Sequence, residues 1–208
     1  MKVVLCLSLF FCLSLKAEVL SVEYSSFYSH LRKLDSDDTP ALQFAFGFKH
    51  VASEKLCTID NVKIVTQKVT VPIDVTAEQR FLLPTEKALK QARAKVEISL
   101  QEPANQCDMS VQLETKPEYL KTKYMSEDLA FVLKQYQVFF DDMGSFLSFL
   151  MPGVEGLHFH FDQALNDTFP SGVNVEGNHL YINQQWIEQG NNLTFESLPI
   201  RITALTNN

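Results

Sequence analysis

The chain has 208 residues, with 18 basic and 25 acidic side chains and a formal net charge of −7. This acidic balance argues against a nucleic-acid partner and against electrostatic binding to an anionic membrane surface. A hydrophobic content of 46% is enough for one large domain or two small domains that share an interface.

The first 17 residues, MKVVLCLSLFFCLSLKA, have the composition of a secretory signal peptide. An early lysine precedes an apolar run over residues 3–15, which is shorter than the ~20 residues that a bilayer span needs. Small Ala17 favours cleavage after that position, so we expect a periplasmic mature chain without a transmembrane segment. The alternative is a lipoprotein with Cys12 as its first residue, which the two bulky phenylalanines before Cys12 disfavour.

Cys57 and Cys107 are the cysteines that remain after this cleavage. An even pair in an exported chain is typical of a disulfide. Closing a loop of about 50 residues would stabilise the fold by roughly 4 kcal/mol in the chain-entropy model. Both cysteines share parity with apolar neighbours, so we expect both sulfur atoms in the core. The alternative, a two-cysteine metal or redox site, lacks a CxxC spacing and a nearby histidine.

Over residues 18–115, the spacing of apolar residues changes from three and four, which is typical of a helix, to two, which is typical of a strand. Apolar residues three and four apart predict a short amphipathic helix at 24–34. Two-residue alternation then predicts about six strands over 41–115, interrupted by one short helix that begins at Pro84. Because Pro72 removes a ladder donor, we expect its strand at a sheet edge. The short turns favour an antiparallel sandwich-like unit.

The first of these strands, LQFAFGFK, has one heavily apolar face. Its large side chains are Leu42, Phe44, Phe46 and Phe48. The opposite face carries small Ala45 and Gly47, which leave room for another element to approach the strand. We interpret this pattern as packing rather than as a ligand platform.

Residues 126–151, SEDLAFVLKQYQVFFDDMGSFLSFLM, form the longest periodic segment of the chain. Two acidic residues in the first turn mark the start of a helix, and Pro152 marks its end. The helix would have roughly 25 residues and a length of about 37 Å. Apolar residues occupy most of its circumference, so other elements must cover it. We therefore expect Leu133 and Phe140 to be buried and Lys134 to lie on a narrow exposed stripe.

Strand patterns return after this helix, separated by turn signals such as EGN and QGNN. We predict strands over residues 156–162, 173–176, 178–186, 192–196 and 199–205. The resulting meander needs a cover for its apolar face, and the long helix supplies one. The predicted architecture is α+β, with an antiparallel β-sandwich-like unit stapled by one disulfide, then a long buried helix on a C-terminal antiparallel sheet. We divide the chain into a signal peptide (1–17), the stapled unit (18–115) and the helix-on-sheet unit (116–208).

The string HFHFD is the one arrangement with recognisable chemistry. His158, His160 and Asp162 would project from one face of a strand and offer two imidazoles and a carboxylate to zinc. The string resembles the opening of the HxHxDH motif of metallo-β-lactamases. Gln163 replaces the histidine that would bind a second metal, and the chain lacks the strand and helix alternation of those enzymes. The alternative is an amphipathic strand whose apolar residues face the core and whose polar residues face water.

Other chemistry is poorly represented in the sequence. There is no GxSxG elbow, glycine-rich phosphate loop or HExxH helix, so we predict no cofactor. Four phenylalanines of the long helix offer an apolar surface for an acyl chain or an envelope partner, although core packing is the simpler interpretation. They are Phe139, Phe140, Phe146 and Phe149.

Several strings together resemble one known family. They are YSSFYSHLRKL, FAFGF, FLLPTEKALK and LMPGVEGLHFHF, together with the pair Cys57 and Cys107. These features are similar to a poorly characterised family of small exported gammaproteobacterial proteins, the domain of unknown function number 2987. The resemblance implies export to the periplasm and implies no particular activity.

The sequence as a whole predicts an exported periplasmic protein that acts as a non-catalytic interaction or accessory module for another envelope protein. A zinc-dependent hydrolase that uses His158, His160 and Asp162 is one alternative. A carrier of an apolar ligand is another. The sequence indicates no oligomeric state.

Overall fold

The computed structural model describes residues 18–35, 37–144 and 153–206, which form a mixed α+β fold. The helices are α1 (Tyr24–Leu31), α2 (Lys87–Gln91), α3 (Ser126–Gly144) and α4 (Gln184–Glu188). The strands are β1 (Glu18–Glu23), β2 (Leu42–His50), β3 (Ile59–Val65), β4 (Thr70–Ile73), β5 (Lys95–Leu100), β6 (Cys107–Thr115), β7 (Lys123–Tyr124), β8 (Val154–His160), β9 (Asn174–Glu176), β10 (His179–Asn183), β11 (Leu193–Thr194) and β12 (Arg201–Thr206). The predicted signal peptide and residues 145–151 of the predicted long helix lie outside the described residues.

The first part of the chain forms an antiparallel sheet in the order β1, β5, β3, β4. Strand β4 contains Pro72 and lies at the sheet edge, which confirms that prediction. Strands β2 and β6 pair with each other over nine residues each. The sequence did not predict β1, because six residues of weak alternation become a strand only when β5 supplies the hydrogen-bonding partner.

The small residue at position 47 allows a loop to cross β2 closely. A Cβ built on Gly47 would lie 2.8 Å from the backbone oxygen of Gln79 and 3.2 Å from Nη1 of Arg80. Next to it, Phe46 and Phe81 exchange two backbone hydrogen bonds of 2.9 Å. The predicted approach of another element to this face of β2 is therefore confirmed, and that element is the loop that carries Arg80.

The last part of the chain forms an antiparallel sheet in the order β12, β8, β10, β9. Strand β8 is paired along both edges. One face of this sheet is apolar. Its buried residues are Leu157, Phe159, Leu180, Ile182 and Ile202, and Val175 and Ala204 on the same face are partly buried. Phe161, the residue after His160, is buried as well.

Helix α3 joins the two parts of the fold. Leu133 is buried and Lys134 is exposed, as predicted, while Phe140 is only partly buried. The Tyr136 hydroxyl donates to the carbonyl oxygen of Ile202 in β12 at 2.7 Å and lies 3.0 Å from the Thr115 hydroxyl in β6. Buried residues from both halves of the chain form one hydrophobic cluster. No helix in the described ranges has the length and apolar character needed to span a membrane.

One predicted strand is partly wrong. The sequence predicts a strand over residues 178–186, but β10 ends at Asn183 and α4 follows directly. The Asn183 side chain accepts a 2.8 Å hydrogen bond from the backbone nitrogen of Trp186 and so caps the helix. Trp186 is buried, and its indole nitrogen donates to Ser171, so it packs rather than contacting a ligand.

The disulfide between Cys57 and Cys107 is present, with the Cα atoms 6.4 Å apart and both residues buried. Cys107 begins β6, whereas Cys57 precedes β3 and its backbone nitrogen donates to Phe48 of β2. The bond therefore joins the segment before β3 to the β2 and β6 pair.

Alkylation tests the disulfide directly. When the protein is extracted from cells, denatured without a reductant and treated with a thiol reagent, neither Cys57 nor Cys107 should be labelled, as shown by mass spectrometry. Treatment with a reductant before alkylation should label both. Full labelling without reduction would contradict the bond.

Adjacent substitutions in α3 test the core. Leu133→Asp places a charge in the apolar cluster without a partner, so we expect a loss of several kcal/mol from a total of about 5–15 kcal/mol and failure of the protein to accumulate. The control Lys134→Asp on the exposed stripe should change the unfolding free energy by less than about 0.5 kcal/mol. Equal melting curves for wild type and both variants would show that α3 is not part of the core.

Candidate functional site

The face of the C-terminal sheet opposite the core carries two rows of polar side chains. The first row is Arg201, His160 and His179, and the second is Thr203, His158 and Tyr181. Each row runs across β12, β8 and β10, because antiparallel register places directly opposed residues on the same face. We call these six residues the histidine face. It exists because alternation along β8 sends leucine and phenylalanine to one side and histidine to the other.

His160 has both ring nitrogens engaged. Nη2 of Arg201 lies 3.1 Å from Nδ1 of His160, and Nε2 of His160 lies 3.1 Å from the Thr203 hydroxyl. A guanidinium only donates, so Nδ1 is the acceptor and the ring proton is on Nε2. Burial, and then the charge of Arg201, lower the pKa of His160 to about 2. His160 is therefore a neutral imidazole at neutral pH. It is buried, so the expectation that the polar residues of this strand face water does not hold for it.

His158 contacts three aromatic rings. Its ring centroid lies 3.7 Å from that of His160 and 4.2 Å from that of Tyr181. Its Nε2 lies 3.0 Å from Nδ1 of His179, so one of these two nitrogens donates and the other accepts. Burial, and then His179 and Arg201, lower the pKa of His158 to about 4.

The structure brings two of the three predicted metal ligands together. His158, His160 and His179 each offer a ligand atom, and these atoms all lie within 4.8 Å of one another. Asp162 follows the end of β8 and instead lines a separate cavity. No sequence pattern indicated His179, because its position opposite His160 depends on the pairing of β10 with β8, a strand that lies earlier in the chain.

This second site is a cavity of about 230 Å³ lined in part by Glu78, Arg80, Glu114 and Asp162. We call it the charged cavity. Leu82 and Ile200 also line it, and both are exposed apolar residues. The cavity lies against the outer face of β2, where Gly47 lets the loop of Arg80 pass. Sequence reasoning did not identify it, because its residues come from segments far apart in the chain.

Arg80 is 8% exposed, and its Nη1 donates to the backbone oxygen and the hydroxyl of Ser110, both at 3.1 Å. Its buried Nε has no hydrogen-bond acceptor among the described residues. Burial, and then the charge of Arg201, lower the pKa of Arg80. The cavity wall therefore contains a buried guanidinium whose donors are only partly satisfied.

The carboxylates of the cavity differ in their environment. Burial raises the pKa of Glu114, although the Gln43 amide donates to it at 3.0 Å and opposes this shift. Glu78 forms an ion pair of 3.1 Å with Nη1 of Arg201. Arg201 thus contacts both His160 and Glu78, and connects the histidine face to the charged cavity.

An apolar groove of about 400 Å³ lies beside the end of α3. Phe139 and Phe140 line it together with Phe44 and Met143. The two other phenylalanines of the apolar-carrier hypothesis, at positions 146 and 149, lie outside the described residues. The carrier function stays a prediction.

A family model described as "Protein of unknown function (DUF2987)" matches residues 16–161, which is well over half of the chain. The chain belongs to the DUF2987 family. The matched segment includes His158, His160 and the disulfide, and it ends before His179 and Arg201 of this DUF2987 protein. Comparisons with curated proteins and with solved structures found no match.

The neutral state of His160 predicts a specific pH dependence of stability. The unfolded histidine, with a pKa near 6.5, binds a proton below that pH. The folded histidine does not bind a proton until the pH falls to its pKa of about 2. The unfolded state therefore gains protons first, and stability falls as the pH decreases below about 6.5. From pH 8 to pH 5, His160 should account for a loss of up to about 2 kcal/mol.

Urea unfolding at both pH values, in the presence of a chelator, measures this loss. His160→Gln keeps an acceptor for Arg201 and removes the titrating ring. Between pH 8 and pH 5, its loss of unfolding free energy should therefore be smaller than that of wild type by up to about 2 kcal/mol. His50→Gln, at a partly buried histidine outside the face, is the matched control and should behave as wild type. An unchanged pH dependence in His160→Gln would show that the folded ring accepts a proton.

Proposed function

We propose that this DUF2987 protein is exported to the periplasm and acts there as a non-catalytic interaction module, by binding a segment of another envelope protein at the charged cavity. The composition of residues 1–17 supports export. The buried disulfide supports the same compartment, because such bonds form and persist in oxidising environments.

The observation that supports this binding function is the buried Nε of Arg80, which has no hydrogen-bond acceptor among the described residues. A buried donor without an acceptor costs about 1–3 kcal/mol, and more when the group is charged. An oxygen acceptor from a bound segment would recover this free energy once rotation of the Arg80 side chain, which lines the cavity, exposed the nitrogen to it. A carboxylate suits the position best, because hydrogen bonds between ionised groups are about twice as strong as neutral ones.

The charge balance of the cavity is compatible with an anionic group. Glu78 is paired with Arg201, and the raised pKa of Glu114 favours its uncharged form. Asp162 is the acidic side chain that opposes such a ligand. Leu82 and Ile200, which are 38% and 40% exposed, offer apolar contact beside Arg80. We infer that the bound segment carries a carboxylate next to an apolar side chain.

Site-specific photocrosslinking in a Gram-negative host tests this function. A photoreactive amino acid at Leu82 or at Ile200 should give a covalent adduct with a periplasmic or membrane protein. The same residue at Val51, which is 55% exposed and outside the cavity, should give none. N-acetyl-leucine should reduce the adduct in extracts, whereas its uncharged amide should not.

Two results would reject this function. One is equal crosslinking from Val51 and from the two cavity positions. The other is recovery of the protein in the cytoplasmic fraction with residues 1–17 still attached, since an exported chain should begin near Glu18.

Zinc-dependent hydrolysis is the second candidate, and one observation favours it. Three histidine ligand atoms within 4.8 Å match the His₃ ligand set of one class of catalytic zinc sites. Zinc-dependent turnover of an ester or amide substrate, abolished in His179→Ala, would support this candidate over the interaction module.

A further inference from the structure

We propose that His158, His160 and His179 bind one divalent transition-metal ion of the zinc class, and that Arg201 is the group the ion must displace from His160. This site differs from the set expected from the sequence, because His179 takes the place of Asp162. The proposal does not depend on partner binding at the charged cavity.

Two of the three nitrogens already have nearly the spacing that a metal requires. Zinc binds imidazole nitrogen at about 2.0–2.1 Å, so two ligands in tetrahedral geometry lie about 3.3–3.4 Å apart. Nε2 of His158 and Nδ1 of His179 are 3.0 Å apart. A displacement of a few tenths of an ångström would let both nitrogens bind one ion.

The backbone fixes the third ligand close to this pair. His160 and His179 are directly opposed in the ladder between β8 and β10, and His158 lies two residues along the same strand. Phe159 and Leu180, on the reverse of the same strands, are fully buried. Only side-chain rotation is therefore needed to assemble the site, and sites on regular strands hold their geometry better than sites on loops.

The nitrogens of His160 are engaged in a way that opposes metal binding. If the ion binds Nε2, then Nδ1 carries the ring proton and can no longer accept from Arg201. If the ion binds Nδ1, it occupies the position of the guanidinium nitrogen. In either case Arg201 must leave His160. Its ion pair with Glu78, at 3.1 Å, gives the guanidinium another contact.

The ligand set also indicates the class of ion. Imidazole nitrogens favour Zn²⁺, Cu²⁺ and Ni²⁺, whereas Mg²⁺ and Ca²⁺ prefer oxygen ligands. The cluster has no thiolate, since Cys57 and Cys107 are bonded to each other. Zn²⁺ is therefore the probe, and Mg²⁺ is the negative control.

Isothermal titration of the untagged mature protein with Zn²⁺ tests the proposal. We expect one equivalent to bind to wild type and no heat of binding with Mg²⁺. His179→Ala removes a ligand and should weaken the affinity by more than about tenfold, which is the lower end of the cost of losing an outer-shell partner alone. Asp162→Asn and the control His50→Ala, at a histidine outside the histidine face, should bind as wild type. His179→Gln, which keeps a polar side chain, serves as the ligand variant if His179→Ala fails to fold.

The variant Arg201→Gln tests whether Arg201 competes with the metal ion for His160, which is separate from whether the three histidines bind the ion. This variant removes the positive charge and the donors that hold Nδ1 of His160, so its Zn²⁺ affinity should rise about tenfold, the lower end of the range over which groups around the ligands change metal affinity. Weaker binding by Arg201→Gln would overturn the role of Arg201. Absence of one-equivalent binding by wild type, or wild-type affinity in both His179 variants, would overturn the site itself.

Discussion

The pairing of β8 along both of its edges is the constraint on which both candidate sites depend. With β12 on one side and β10 on the other, the pairing determines for each residue of β8 which of the two faces of the sheet its side chain lies on. A shift of one residue in register would exchange the two faces and place histidines in the apolar cluster. Burial of Leu157 and Phe159 therefore holds the histidine face in place, although neither residue belongs to it.

Arg201 makes the histidine face and the charged cavity one electrostatic unit. Its guanidinium contacts Nδ1 of His160 on one side and Glu78 on the other. Its positive charge lowers the pKa values of His158 and His160 and opposes the raised pKa of Glu114. A change in the contacts of Arg201 therefore alters the electrostatic potential at both sites.

Local sequence patterns predicted the features that depend on short-range physics. The α+β class, the edge position of β4, the close approach at Gly47 and the burial of Leu133 all follow from periodicity, proline chemistry or side-chain size. The pairing of Cys57 with Cys107 was predictable because a single pairing remains when the predicted signal peptide, which carries the other two cysteines, is set aside.

The sequence did not predict the features that require a known three-dimensional register. Glu78 and Arg201 form an ion pair although they lie far apart in the chain, and His179 meets His160 only after β10 pairs with β8. The strand β1 and the helix α4 were missed for related reasons. The first depends on a partner strand, and the second on the capping side chain of Asn183.

The unfavourable free energy of burying the arginine and histidine side chains at these sites is the argument that they serve a function. A buried guanidinium with an unsatisfied nitrogen is less favourable than apolar residues of the same volume, and both Arg80 and Arg201 have such a nitrogen. His160 has to be neutral to remain buried, which lowers stability at acidic pH. Proteins depart from the rules of stable packing mainly where binding or catalysis requires it. Both arginines contact the charged cavity or the histidine face, so two of the three buried side-chain polar atoms without a partner among the described residues lie at these two sites.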